Sequence, residues 1–329
     1  MKNKFISHIF KYILRGLSLL FAVSIISFIL ITLSPIDPIK EYTQALPGIS
    51  GEHLEKVRQY WGVDQPPVTR YLTWFSSVIK GDLGTSLIYR RPVINIISEK
   101  FSSSFILMIF AWTFSGIIGI VLGTIMGINE GNLIDRILKR FCLIMCSIPT
   151  FWIGILFMMF FSVFLGWFPI GMSVPSGILS SEVTILQRLH HLILPAFTLS
   201  FISFSNISLH AREKIIDVLH SDYVLFAKAR GESLKSILIN HCFRNMLSPI
   251  ITLQFASFSE LFSGSVFIEN IFSYPGLAVA TSESGLKSDI PLLLGIVLFS
   301  TVFIFTGNMI ANILYEVINP EIKVGANAK

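Results

Sequence analysis

Few side chains in this sequence are arranged for catalysis. The tetrapeptide Gly48-Ile49-Ser50-Gly51 matches a serine-nucleophile pattern, but no histidine lies within an apolar block to act as its base. No Gly-Lys dipeptide occurs, which excludes a phosphate-binding loop of the Walker type, and the zinc motif H-E-x-x-H and the dinucleotide motif G-x-G-x-x-G are also missing. We therefore predict that the chain is not an enzyme and binds no cofactor.

Polar side chains recur at helical spacing within two otherwise apolar blocks. They are Ser200, Ser203 and Asn206 in the first block and Gln254, Ser257, Glu260 and Ser263 in the second. Polar stripes in a membrane usually face the interior of a helix bundle or a water-filled cavity. The carboxylate of Glu260 either forms an interhelical hydrogen bond or lines a solute path. We take Ser203, Asn206, Gln254, Ser257 and Glu260 as candidate path residues.

The composition places these blocks in a lipid bilayer. Of the 329 residues, 53% are hydrophobic and only 14% are charged, whereas soluble domains have about 25% charged residues. The net charge of +5 forms no continuous basic patch, so no nucleic acid is expected as a partner. Blocks of about 20 apolar residues are long enough to cross a membrane. The predicted spans are 12–33, 101–127, 141–165, 192–209, 249–268 and 290–315.

The sequence thus predicts an all-α integral membrane protein of about six transmembrane helices. The first span is a retained helix, because it is too long for a signal peptide and ends without a cleavage site. Lysine and arginine favour the cytoplasmic side. They place segments 1–11, 128–140, 210–248 and 316–329 in the cytoplasm, so both termini are cytoplasmic. The external loop 34–100 has helical spacing in Glu52–Trp61 and Val68–Ile79 and is predicted to form a small folded subdomain.

Two further patterns concern packing. Gly119, Gly123 and Gly127 are four residues apart and form one smooth helix face that another backbone can approach closely. Cys142 and Cys146 share a helix face and His190-His191 are adjacent, so both pairs could bind a metal. The simpler interpretation is that the cysteines pack as small hydrophobic groups and that the histidines lie at an interface.

The cytoplasmic loop 210–248 is the most informative segment. Its part Asp222–Gly231 is predicted to be a short helix that Asp222 caps and Gly231 ends. The small residues Ala227 and Ala229, next to Phe226 and two basic side chains, could form a surface that docks on another protein. The alternative is a helical loop that is basic only because it is cytoplasmic.

This loop carries a set of residues in the pattern D-Y-x3-A-x-A-x-G-x9-H-x2-R-N-x3-P. The matching residues are Asp222, Tyr223, Ala227, Ala229, Gly231, His241, Arg244, Asn245 and Pro249. The pattern resembles the cytoplasmic motif of permease subunits of ABC importers, in particular of the peptide/nickel branch. The resemblance implies a type I importer permease fold, in which these residues couple the chain to an ATPase and the short helix enters a cleft of that subunit.

The resemblance extends over nearly the whole chain. Other matching segments are Ser34–Pro38, Gly62–Pro66, Gly81–Ser86, Arg91–Val93, Ser147–Trp152, Leu192–Ala196, Ile268–Phe272 and Tyr274–Gly276. It implies a heterodimer with a second permease, two ATP-binding subunits that hydrolyse ATP, and an external solute-binding protein, all at the cytoplasmic (inner) membrane. It also implies three regions: 1–96 with the first helix and external loop, 97–316 as the transmembrane domain, and 317–329 as a cytoplasmic tail.

The cargo is less specific than the family. The residues around Glu260 and Ile268–Phe272 resemble the nickel permeases more than the peptide permeases, so nickel or a metal chelate is the favoured cargo and a dipeptide or oligopeptide the alternative. A stand-alone secondary transporter is a remote alternative, because it would have no use for the motif in loop 210–248.

Overall fold

A computed structural model describes residues 2–33, 65–178 and 182–318. These residues are helical, with a single isolated bridge between Thr85 and Pro92 and no named strand among them. The helices are α1 (Lys2–Leu33), α2 (Pro67–Ile79), α3 (Val93–Ile128), α4 (Leu133–Ser147), α5 (Thr150–Phe157), α6 (Ile185–Leu219), α7 (Asp222–Ala229), α8 (Leu234–Ile237), α9 (Arg244–Ile271), α10 (Leu277–Leu286) and α11 (Ile290–Ile318). Two π-helices, Met158–Phe164 and Leu238–Phe243, continue α5 and α8. The predicted motif segments Ser34–Pro38 and Gly62–Asp64 and the helical spacing in Glu52–Trp61 lie outside the described residues.

Five helices of the described ranges are long and apolar enough to cross a membrane. The five stretches are Tyr12–Leu33, Val93–Ile128, Ile185–Leu219, Pro249–Ile271 and Ile290–Leu314. Each contains most or all of one predicted span. A bent pair, α4 with α5 and its π-helix, makes a sixth span if it is counted as one. The prediction of an all-α membrane protein with about six spans is therefore confirmed.

The prediction that 141–165 is one continuous span is wrong. The chain bends by 107° between Leu133–Ser147 and Thr150–Phe164. Ile148, at the bend, has the extended backbone angles φ −87° and ψ 129°. The ring of Pro149 disfavours helical angles at the preceding residue and leaves Pro149 without a backbone donor, so the helix ends there. Hydropathy alone does not detect this break, because both sides of it are apolar.

The fourth predicted span is short and rich in serine, yet the helix that contains it is the most buried of the five. Helix α6 packs against α4, α5 and α9 in the same compact unit. Its serines lower the hydropathy, but Ser200, Ser205 and Ser208 are buried between helices. Short hydroxyl side chains allow close helix packing in a membrane, so this span needs no continuous apolar surface.

The glycine face of α3 packs against α6, as predicted. A Cβ atom on Gly119 would lie 2.5 Å from Cγ2 of Ile207, and one on Gly123 would lie 2.7 Å from the carbonyl oxygen of Ser208. A Cβ on Gly127 would overlap the side chain of Ile215 in the same way. The two backbones can approach this closely only because these positions carry no side chain.

The described chain divides into two compact units. The first comprises the described residues within Met1–Ser103 and Pro275–Phe305, and the second comprises those within Ser104–Tyr274 and Thr306–Lys329. In the first unit, α2 packs against α1 through aromatic contacts of Tyr71 with Phe28, and the hydroxyls of Tyr71 and Ser24 are 2.9 Å apart. Helix α2 confirms the predicted helical spacing in Val68–Ile79.

A buried carboxylate holds the loop before α3 in the first unit. Asp289 accepts hydrogen bonds from the Ser86 hydroxyl (2.5 Å), the Ile88 amide (3.0 Å) and the Leu292 amide (3.2 Å). The last bond caps the start of α11. Nearby, burial and a hydrogen bond to Glu283 raise the pKa of Tyr89. Asp289 therefore joins the loop 81–92 to the start of the last helix, and its position directly before an apolar block was the only sequence signal for this role.

Candidate functional site

Helix α7 forms as predicted, but its N-terminal residue differs. Ser221, in extended conformation, precedes the helix as its N-cap, so Asp222 is the first helical residue and not the cap. The helix ends with a Schellman motif, in which the amides of Gly231 and Glu232 donate to the carbonyls of Lys228 (3.0 Å) and Ala227 (3.1 Å). Gly231 has a φ of +80°, a conformation that a glycine adopts without strain. The predicted end of the helix at Gly231 is thus confirmed.

The two faces of α7 have different surroundings. Val224 and Ala227 are 0% and 4% exposed and belong to an apolar cluster with residues of α6 and α9. Leu225 and Phe226 are 67% and 66% exposed, and Ala229 is exposed as well. The prediction that Ala227 lies on a docking surface is therefore wrong, because its methyl group points into the bundle. Helical spacing alone could not tell which face of α7 is buried.

Three residues of the sequence pattern meet at the base of α7. The Asn245 amide donates to the Tyr223 hydroxyl (3.2 Å) and to the backbone carbonyl of His241 (2.8 Å), and the rings of Tyr223 and His241 are 5.9 Å apart. The Nε2 atom of His241 lies 3.6 Å from a carboxylate oxygen of Glu232, which follows the helix. These contacts tie both ends of α7 to the start of α9. Asn245 and His241 are 22 and 18 residues from Tyr223, so only the fold shows that they interact.

The other pattern residues in this region have separate positions. Asp222 and Arg244 are exposed, and Pro249 lies within α9 at the start of its membrane-crossing stretch. The cluster behind α7 also contains Cys242, which is fully buried. Burial raises the pKa of the Cys242 thiol, so this cysteine is a poor target for thiol reagents in the folded protein.

The candidate path residues separate into two groups. Ser203, Gln254 and Ser257 are buried within the chain. The Gln254 side chain donates to the Trp112 carbonyl and to the Ser115 hydroxyl, so it joins α9 to α3. Asn206 and Glu260 are exposed.

The exposed members of α9 form one row. Ala256, Glu260, Ser263, Phe267 and Asn270 recur at alternating intervals of four and three residues and all are exposed. Asn206, on α6, is within 3.5 Å of the Cys146 sulfur. Of the predicted path residues, only Asn206 and Glu260 are exposed. Ser263 belongs to the predicted polar stripe but was not taken as a path residue, and Asn270 is an exposed polar residue beyond that stripe.

The adjacent histidines hold a loop. A ring nitrogen of His190 is 2.8 Å from the Trp167 carbonyl, and one of His191 is 3.0 Å from the Gly171 carbonyl. In the part of the chain that the structure describes, no group of three or more histidine, cysteine, aspartate or glutamate side chains is placed to hold a metal ion.

The sequence reasoning missed an ion pair next to this site. The Arg212 guanidinium, near the end of α6, donates to both carboxylate oxygens of Asp135 at 2.6 and 2.8 Å, and the Gly131 amide donates to the same carboxylate. Both side chains are largely buried. This two-pronged geometry anchors the start of α4 to the helix that leads into α7. No local pattern pairs these residues, since they are 77 positions apart.

Comparisons with known proteins define the class. Residues 119–324 match the family of binding-protein-dependent transport system inner membrane components. The chain belongs to this family of membrane transport subunits. The oligopeptide transport system permease protein AppB of Bacillus subtilis is 32% identical over 320 residues, with 96% of this chain and 99% of that protein covered.

Two other sequence relatives agree with that assignment. A putative peptide transport system permease protein of Brucella abortus is 32% identical over 315 residues, with 96% of this chain and 98% of that protein covered. The glutathione transport system permease protein GsiC of Escherichia coli O6:H1 is 31% identical, with 97% and 99% covered. A chain from inward-facing structures of the MetNI methionine ABC transporter matches with a TM-score of 0.46 and 13% identity, covering 67% of this chain and 97% of that chain.

Proposed function

We propose that this chain is the channel-forming permease subunit of an ATP-driven importer that carries peptides across the cytoplasmic membrane. The single observation that carries the proposal is α7, a short helix that presents an exposed apolar face while its other face is fixed in the bundle. A second permease, two ATP-binding subunits and an external solute-binding protein complete the proposed importer. In this arrangement the ATPases hydrolyse ATP and this chain contributes no catalytic residue.

The proposed contact with the ATPase is the outer face of α7. Leu225 and Phe226 expose large apolar side chains, which are uncommon at a loop in water unless they meet a partner. The Schellman motif and the network of Tyr223, His241 and Asn245 keep the helix stiff. A stiff helix passes a displacement on to the helices behind it, whereas a flexible loop would absorb it.

Peptides are the cargo that we favour over nickel. The relatives described above are named for oligopeptides, peptides and glutathione, which supports the alternative over the predicted lean to nickel. A peptide needs a roomy polar path, and the exposed row with Glu260, Ser263 and Asn270 on α9, together with Asn206 on α6, supplies amide, hydroxyl and carboxylate groups for one. We propose that this row replaces Ser203, Gln254 and Ser257 as the path-facing set.

The proposed orientation places α7 and both termini in the cytoplasm. Basic residues near the ends of α4 and α6 and in the segment that follows support this side. A cysteine introduced at the exposed Ser233, in a Cys146→Ser background, tests it. We expect an impermeant maleimide to label this cysteine only after the cells are permeabilised, and labelling of intact cells would refute the orientation.

The function is tested by uptake of a labelled peptide in cells that lack the chromosomal copy of this chain. We expect the unmodified chain to restore uptake and Phe226→Ser to restore little of it, because the variant removes an exposed apolar contact without disturbing the core. Ile239→Ser, at an exposed apolar residue beyond α7, is the matched control and should transport normally. Failure of the unmodified chain to restore peptide uptake, with restored nickel uptake, would refute the cargo. ATP-binding subunits that co-purify equally with both variants would refute the docking role.

A further inference from the structure

Helix α4 has three distinct faces. Asp135 and Cys142 are buried and face the rest of the second unit. A second face carries exposed apolar side chains, namely Leu133, Ile134, Ile137, Phe141 and Ile144, and one more, Leu143, lies among the basic residues. A third face carries three exposed basic side chains, Arg136, Lys139 and Arg140. At 100° per residue the apolar and basic faces are adjacent, which is the pattern of a helix that lies at a membrane interface.

The bend at Ile148 and Pro149 sets the direction of this helix. Membrane helices tilt by about 20° on average from the bilayer normal. If Thr150–Phe164 crosses the membrane near the normal, a bend of 107° places α4 close to the membrane plane. The crossing segment has 15 residues and spans about 22 Å, which is less than the roughly 30 Å of the hydrocarbon layer. Because the segment is this short, the end of α4 next to it lies at the surface of the hydrocarbon layer.

The charges of α4 are free for an anionic partner. Asp135 is the only acidic residue of the helix, and Arg212 from α6 neutralises it. Among the ion pairs of the described residues, none includes Arg136, Lys139 or Arg140. Glu130, just before the helix, pairs with His220 at 3.2 Å. The exposed surface of α4 thus combines an apolar face with three cationic groups that form no ion pair, although Asp135 is close enough to Lys139 to attract it.

We propose that α4 is an interfacial helix that binds anionic phospholipid. Its apolar face enters the acyl boundary, and the three basic side chains contact phosphate headgroups of the same leaflet. The proposal rests on the proposed function only in naming this leaflet as the cytoplasmic one. Because Asp135 and Arg212 join α4 to the end of α6, bound lipid would hold the bundle in place on the side where α7 receives its partner.

Photoactivatable lipids test the proposal on the full-length chain, purified with its co-purifying subunits and reconstituted into phosphatidylcholine vesicles. The probes are diazirine phosphatidylglycerol and diazirine phosphatidylcholine at equal mole fractions. We expect phosphatidylglycerol to label segment 133–147 about fivefold more strongly or better, since each basic residue near an anionic surface contributes about a factor of five. The exposed apolar part of α11 around Val302 and Ile310 is the internal control and should react equally with both lipids.

The triple variant Arg136→Gln, Lys139→Gln, Arg140→Gln should bring the two lipids to equal labelling of segment 133–147 while the segment remains labelled. High salt should reduce the preference in the unmodified chain as well, because salt screens the headgroup attraction. Equal labelling in the unmodified chain would overturn the anionic preference, and labelling by neither lipid would show that protein covers the helix. This readout does not depend on transport, so its failure and a failure of peptide uptake are separate results.

Discussion

Gly231 offers a test of whether the end of α7 must keep its exact backbone shape. Its φ is +80°, and a Cβ atom built there would meet no atom within 4 Å. A substitution therefore adds no steric clash within the chain, and its cost comes from the backbone alone. For an L-residue this conformation costs about 1–2 kcal/mol. Alanine recovers about 0.4–1 kcal/mol by restricting the unfolded chain. The net loss is about 1 kcal/mol, or roughly fivefold in the population of the capped helix.

Three substitutions separate backbone strain from size. Gly231→Ala should lower peptide uptake up to about fivefold at limiting ATPase subunit, whereas Gly231→Asn should stay closer to the unmodified chain, because asparagine tolerates positive φ. Gly231→Leu should equal the alanine variant if only the backbone matters and be worse if a partner closes around this position. Gly285→Ala is the matched control: it is equally open but has no positive φ, so uptake should be unchanged.

The assay measures initial uptake rates together with the amount of ATP-binding subunit that co-purifies with each variant. Membrane content of the chain, measured by quantitative immunoblot, separates a docking defect from a loss of protein. Equal uptake for the alanine variant and the unmodified chain would refute the reasoning. The same conclusion would follow if asparagine were as harmful as alanine, because strain at φ +80° distinguishes the two.

Three further substitutions test the packing and the path. Asp289→Ala should lower the thermal midpoint in detergent more than Asp82→Ala, because each buried donor left without an acceptor costs about 1–3 kcal/mol and Asp82 is exposed; equal midpoints would contradict the anchoring role. Gly123→Ala should destabilise the bundle by about 1–3 kcal/mol through overpacking against α6, as measured by the same midpoint, and an unchanged midpoint would show that the helices can separate. Glu260→Gln should reduce uptake without lowering the midpoint, and normal uptake would exclude its carboxylate charge from the solute path.

The spans were predictable because hydropathy is additive along the chain, and five of them match apolar helices of the structure. Hydropathy did not predict which side chains of a helix face its neighbours and which are exposed. Ser203 and Asn206 lie three residues apart and were assigned to one stripe, yet the first is buried and the second exposed. Periodicity gives the angle between two side chains of a helix but not the direction in which the neighbouring helix lies. One part of a wide polar stripe can therefore be buried against that neighbour while another part is exposed.

The same limit explains the result for α7. The helix and its end at Gly231 follow from local chemistry, since turn preferences act over a few residues. The burial of Ala227 and the contact of Tyr223 with Asn245 depend on how α6 and α9 pack behind the helix. The bend before Pro149 is a different case: Pro149 is a local signal for a break, but the apolar residues on both sides of it have the composition of one continuous span.

The arrangement behind α7 leads to a final prediction about how ATP hydrolysis reaches the path. Val224 lies in one apolar cluster with Ile215 and Val218 of α6 and with Met246 and Ile250 of α9. These two helices also carry Asn206 and Glu260. We infer that a displacement of α7 moves these two helices, which carry the proposed path residues, together, because a close-packed contact transmits motion with little compression.

Val224→Ala tests this inference, since it leaves a cavity behind α7 at a cost of about 1–3 kcal/mol while the exposed face is unchanged. The ATP-binding subunits should still co-purify and hydrolyse ATP, but fewer peptide molecules should enter for each ATP consumed. Leu225→Ala, on the exposed face, should instead weaken co-purification and lower hydrolysis and uptake in proportion. A Val224→Ala variant with an unchanged ratio of uptake to hydrolysis would show that the cluster does not carry the movement. A displacement of α7 would then reach the other helices through the segments that follow α7, where Glu232 and His241 are in contact.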